Sequence, residues 1–97
     1  MIHLWWDPAA KAEAVGATAY FKAKGGTAGQ RFAEDLRATL NGIVAFPRSC
    51  QANEDGARQK PLRKHPYVIV YRLDEETVEI IAVANTSRKP GYWRDRL

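Results

Sequence analysis

YVIVYR at 67–72 and TVEIIAVAN at 77–85, joined by the acidic run Asp74-Glu75-Glu76, decide the architecture of this chain. The first segment is apolar on both alternating faces, the pattern of a central strand buried on two sides. The second is nearly all apolar and rich in β-branched residues, and the short acidic break between them suits a turn. Two neighbouring strands with no solvent face need cover on both sides, and the rest of the chain must supply it.

Working upstream, RQKPLRK at 58–64 reads as a further strand. Pro61 lacks a backbone donor, which places that strand at a sheet edge or a bulge. Residues 47–57 are polar and aperiodic, a surface loop. Before them Phe32, Leu36, Leu40 and Ile43 form one apolar stripe at helical spacing, stopped by Pro47. Thr27 with Gln30 three residues later reads as a capping box for that helix. Gly25-Gly26 divides it from an earlier helix that opens with Asp7 as N-cap and Pro8 as first helical residue. There Ala10, Ala14, Ala17 and Phe21 share a face, with Lys11, Lys22 and Lys24 off it. Two helices joined by a short glycine loop make an antiparallel hairpin, and the small alanines let the first helix lie close against a neighbour. IHLWW at 2–6 is a short strand. Downstream, residues 87–97 hold Pro90, two aromatics and three arginines without a clear period, a short tail or helix. The order is β-α-α-β-β-β: an α+β fold, the αα-hairpin packed on a small, mostly antiparallel sheet, as one domain over 1–97.

A chain of 97 residues buries only about two-thirds of its unfolded surface, so a large internal substrate cavity is not expected and function belongs on the surface or in a shallow groove. Cys50 stands alone, which excludes an intramolecular disulfide. The first eight residues lack the pattern of a signal peptide, and no apolar run of membrane-spanning length occurs, so a cytoplasmic protein without membrane association is expected. Charge is unevenly placed. Residues 1–57 balance, while residues 58–97 carry the whole formal net charge of +4, with most of their acids gathered at the turn 74–79. The remaining surface of that half is basic, which suits nucleic acid or an acidic protein partner, or is simply a solvated face.

No motif of catalytic spacing is present. His3, Cys50 and His65 lie on three different elements, so neither a metal nor another cofactor is expected. There is no phosphate-cradling glycine loop and no nucleophile elbow. What remains is basic and aromatic: Lys60, Arg63, Lys64 and His65 before the central strand, then Arg88, Lys89, Tyr92, Trp93, Arg94 and Arg96 at the end. Such a mixture can hold phosphates and stack on unpaired bases. Alternatively, Tyr92 and Trp93 only fasten the tail to the sheet. A helix-turn-helix with a basic second helix is missing, which argues against a transcription factor acting alone.

Residues 61–96 resemble the C-terminal half of the RelE/ParE toxin superfamily. The features are a basic pair, an aromatic-led strand ending in Tyr71-Arg72, an acidic turn, a valine/isoleucine strand, and the ending Arg88-Lys89-Pro90-Gly91-Tyr92-Trp93. The helical hairpin and Phe46-Pro47 also match the family layout. The resemblance implies the toxin of a bacterial type II toxin–antitoxin pair, neutralised by a cognate antitoxin. RelE-like members cleave mRNA on the ribosome, and ParE-like members inhibit DNA gyrase. Where RelE-like members carry an arginine just inside the central strand, this chain has Val68, which cannot stabilise a developing phosphorane. Where histidine often ends the next strand it has Asn85, which transfers no protons near neutral pH. The ParE-like branch is therefore favoured. The implied target-binding residues are Arg63, Lys64, Arg88, Tyr92, Trp93, Arg94 and Arg96, with the arginines exposed. Were the chain a nuclease, Lys60, Arg63, Arg88 and Tyr92 would be its catalytic candidates.

Overall fold

The computed structural model describes all 97 residues. The chain runs β1 (His3–Trp6), α1 (Pro8–Ala23), α2 (Ala28–Ala45), β2 (Ala57–Pro61), β3 (Tyr67–Asp74) and β4 (Thr77–Asn85), and closes on a 3-10 turn (Arg94–Arg96). The four strands form one sheet in the order β1-β4-β3-β2. The two all-apolar segments are thus the two interior strands, paired antiparallel, with β2 antiparallel on one flank. β1 lies parallel to β4, and the helical hairpin carries the chain from β1 at one edge of the sheet to β2 at the other. This is the expected α+β arrangement.

Local signals account for most boundaries. Asp7 adopts an extended conformation and its carboxylate accepts from the Ala9 N–H at 2.8 Å, with Pro8 directly behind it. Gly25 and Gly26 both have positive φ, 86° and 61°, the left-handed turn between the helices. The expected capping box does not form. Thr27 sits at φ −101°, ψ 11° and makes no side-chain cap, and Gln30 donates instead to Glu34 at 3.0 Å. The glycine turn runs straight into α2, with the Ala28 N–H on the Gly25 carbonyl, so Thr27 never reaches the extended conformation that aims a capping hydroxyl. β2 is an edge strand, as Pro61 requires, but it is shorter than 58–64: it ends at Pro61, and Arg63 and Lys64 lie in the turn beyond.

Both sheet faces are covered, and by different parts of the chain. The hairpin covers one through Ala10, Ala14, Ala17, Phe32, Leu36 and Ile43, set against Ile69, Tyr71, Val78, Ile80 and Val83. The tail covers the other, where Trp93 packs on Ala57, Val70, Ile81 and Ala82. A register shift between Val70 and Tyr71 leaves Ile81 as the extra residue of a bulge, so the consecutive Ile81 and Ala82 both serve the arm-side core while Ile80 and Val83 serve the other. The sheet also has an incomplete edge. β1 accompanies β4 only as far as Ile80, and residues 81–85 have no strand on that side.

Phe32, fully buried and stacked on Phe21 with ring centroids 4.8 Å apart, anchors the hairpin to the sheet. Phe32→Ala is expected to cost about 3–5 kcal/mol in urea denaturation, a large part of a small domain's stability. Val15→Ala, at a residue 63% exposed, should shift it by no more than about 0.5 kcal/mol. Equal losses at the two positions would contradict the assignment of the core.

Candidate functional site

Glu13 stands in the apolar stripe of α1 between Ala10 and Ala17 and reaches the uncovered edge of β4. Its carboxylate accepts from the Val83 N–H at 3.1 Å, from the Tyr92 hydroxyl at 2.6 Å, and from both terminal nitrogens of Arg96 at 2.9 and 3.1 Å. Arg96 also donates to the Ile81 carbonyl at 3.0 Å. Glu13 and Arg96 together thus satisfy an acceptor and a donor that β1 leaves open, and they tie the C-terminal arm, residues 86–97, to α1. Burial pushes the Glu13 carboxyl up, but the hydrogen bonds from Arg96, Tyr92 and Val83 outweigh it and hold the group below its usual range. Burial and the hydrogen bond to Glu13 push Tyr92 up to about 12, and Arg96 is raised first by its bond to Glu13.

The arm divides into two sides. Tyr92, Trp93 and Arg96 face inward, Trp93 being 4% exposed. Gly91 at φ 76° permits the fold-back, and the Arg94 guanidinium lies where any Cβ at that position would stand. Arg88 and Arg94 face outward, their side chains 54% and 65% exposed, and Lys89 is exposed with them. Arg88 lies over the Tyr92 ring at 3.9 Å, with Arg96 at 5.2 Å from the same ring. Arg96, expected on the surface, is instead largely buried, its side chain only 18% exposed, because Glu13 and the β4 edge draw it in.

A second buried carboxylate organises the basic turn. Asp35 on α2 accepts from the Arg63 N–H at 3.2 Å, from the Lys64 N–H at 2.9 Å, and sits 2.6 Å from His65 Nδ1. Burial pushes Asp35 up, yet its bonds to His65 and the two amides hold it low. His65 stands edge-on to Phe21 and Phe32, so it belongs to the packing, not to a metal site. With the backbone fixed in this way, the Arg63 and Lys64 side chains project into solvent beside Arg31 and Glu34.

Of the nuclease candidates only Arg88 and Tyr92 are brought together. Lys60 crosses Gly42 of α2, Arg63 belongs to the Asp35 turn, and Arg88 and Tyr92 belong to the arm. The groove between arm and sheet has Gln59, Val68, Ala84 and Asn85 as its sheet side and Arg88, Lys89 and Arg94 along the arm. No group on that floor titrates near neutral pH. Asn85 accepts from the N–H and hydroxyl of Ser87 at 2.9 and 2.8 Å, and so shapes the turn into the arm. Glu13 and Asp35 were not among the sequence candidates. Their one local signal is an acid placed inside an apolar helical stripe.

A family model described as ParE toxin of type II toxin-antitoxin system, parDE, matches residues 4–90. The chain belongs to the ParE toxin family. A chain of the chromosomal ParDE TA system from P. aeruginosa shares the fold at TM-score 0.74 and 16% identity, over 88% of this chain and 96% of that one. No curated protein matches. The family match of this ParE toxin stops at residue 90, so the clasp between Glu13, Tyr92 and Arg96 closes on a segment beyond it.

Carboxylates held low stabilise the fold above their unfolded pKa, and that contribution disappears as pH falls through the lower folded values. The urea midpoint should therefore be level from neutrality to about pH 5.5. Below the ordinary glutamate value of 4.5 it should fall. Glu13→Gln should cost about 1.5–3 kcal/mol at pH 7 and make the acid decline shallower. Breaking the outward pair Arg94–Asp55 (3.3 Å) by Arg94→Ala should cost no more than about 1 kcal/mol. An unchanged acid profile in Glu13→Gln would contradict the assignment of the clasp.

Proposed function

We propose that this ParE toxin inhibits DNA gyrase through the outward side of its arm and its basic turn, and that a cognate acidic antitoxin neutralises it. The observation that carries the choice of target over mRNA cleavage is the engagement of Tyr92. Its hydroxyl donates to Glu13 at 2.6 Å, and burial with that bond pushes its pKa up to about 12, so the group is committed to the clasp instead of facing a substrate. Val68 and Ala84 on the floor of the arm groove offer neither charge nor proton. What the surface does offer is a set of cations, Arg63, Lys64, Arg88, Lys89 and Arg94, with Arg94 carried directly after the buried Trp93 that fastens the arm. Arginine is among the residue types that dominate protein-binding hot spots.

The antitoxin has a receptive surface on the hairpin. Trp6, Ala14, Val15, Leu36 and Leu40 line an apolar groove along the two helices, flanked by Lys11 and Lys22. An amphipathic helix with acidic flanks matches both its shape and its charge. No helix of the chain is long and apolar enough to cross a membrane.

Purified protein should inhibit gyrase supercoiling, and the product of the adjacent reading frame should relieve that inhibition. The double substitution Lys89→Ala with Arg94→Ala should raise the inhibitory concentration about 10-fold or more while the circular dichroism spectrum is preserved. Primer extension on mRNA from expressing cells should show no new codon-boundary breaks. Strong breaks within minutes of induction, with supercoiling untouched, would overturn the gyrase reading in favour of mRNA cleavage.

A further inference from the structure

Beside the clasp, α1 and the free end of β4 enclose a second groove, lined by Gly16, Ala17, Phe21, Tyr67 and Val83, with Lys24 and Arg88 at its rim. Each rim cation rests on an aromatic ring, Lys24 over Tyr20 at 4.8 Å and Arg88 over Tyr92 at 3.9 Å. Lys24 has no carboxylate partner, and Arg88 reaches Glu13 only at 3.9 Å, because the hydrogen bonds of Glu13 go to Val83, Tyr92 and Arg96. Arg88 is also the cation common to this groove and to the groove under the arm. It is the loosest member of the clasp, and it stands on the boundary between two surfaces.

We infer that an extended acidic segment of the antitoxin occupies the α1/β4 groove and takes Arg88 from the arm. Neutralisation then removes a target-facing cation as well as covering surface. The inference rests on the antitoxin reading above. Charge decides the occupant: two cations without close partners flank an apolar floor whose one carboxylate, Glu13, is already engaged. Length agrees. From Glu13, beside Arg88, to Lys24 the helix rises about 16 Å. Five extended residues span about 13 Å from first to fifth Cα, glutamate side chains at the ends reach the remainder, and the first, third and fifth side chains turn to one face. A carboxylate at each end with a leucine between them meets both cations and the floor. No strand lies beside β4 beyond Ile80, and because Glu13 and Arg96 already hold the Val83 N–H and the Ile81 carbonyl, side chains rather than main-chain pairing carry the contact.

The test is an NMR titration of the full chain with the capped peptide Glu-Ala-Leu-Ala-Glu, up to about 5 mM at low salt, read at the Arg88 Nε–Hε resonance. With the guanidinium 3.9 Å from the Tyr92 ring centroid, that proton should carry a ring-current shift in the free protein. The expected result is loss of that shift on binding, at least about 10-fold weaker binding of Gln-Ala-Leu-Ala-Gln, and weakening of the acidic peptide by Lys24→Gln. An Arg88 resonance that stays in place, or moves equally with both peptides, overturns the inference. If Arg88 moves as expected but the protein leaves gyrase supercoiling untouched, the gyrase reading falls and the transfer of Arg88 stands.

Discussion

The ion pair between Glu13 and Arg96 completes a sheet that its own strands leave unfinished. β1 turns into α1 after Trp6, so β4 continues past Ile80 with backbone groups on its outer side and no neighbouring strand. An unpaired backbone group away from water costs about as much as a lost hydrogen bond. Here a carboxylate takes the Val83 N–H and a guanidinium takes the Ile81 carbonyl, while each satisfies the other. Removing either partner would strand the second in a half-buried place, which is why such pairs are costly to break even when forming them gains little. α1, β4 and the arm are joined at this one point.

That junction sorts the positive charge of the second half of the chain. Arg96 is drawn inward and becomes structural, together with Tyr92 and Trp93. Arg88, Lys89 and Arg94 are left outside on a backbone tied to α1 and the sheet. At the other end, Asp35 does the same for Arg63 and Lys64 by holding their amides and leaving their side chains free. Two hydrogen-bonded acids, the half-buried Glu13 on α1 and the buried Asp35 on α2, thus tie down the two segments that present the basic residues. Binding surfaces built from long flexible side chains gain from such fixed backbones, because less freedom is lost on association.

The fold was legible wherever the deciding interaction is local or periodic. The all-apolar segments at 67–72 and 77–85 became the interior strands, both helical stripes became the core face, and Pro61 correctly marked an edge. The capping box failed because a glycine turn fixed the backbone of Thr27 first. Glu13 and Arg96 lie 83 positions apart, and Asp35 and His65 lie 30 apart, so no window of sequence contains both partners. Arg96 resembled any surface arginine until the free edge of β4 was known. Family membership was readable from the ordered motifs at 61–93, whereas the inward and outward sides of the arm depend on Gly91 and on the distant Glu13.

Hydrogen exchange at the Val83 amide tests the account most directly, because that N–H lies on a sheet edge with no strand beside it. If Glu13 stands in for the missing strand, Val83 should exchange as slowly as interior β4 amides, with protection set by global unfolding. Gln59, on the open side of β2, should exchange far faster. In Glu13→Gln the protection of Val83 should fall well below that of its interior neighbours. A Val83 amide that exchanges as fast as Gln59 in the unaltered protein would contradict the clasp, and with it the fixed arm on which the functional reading rests.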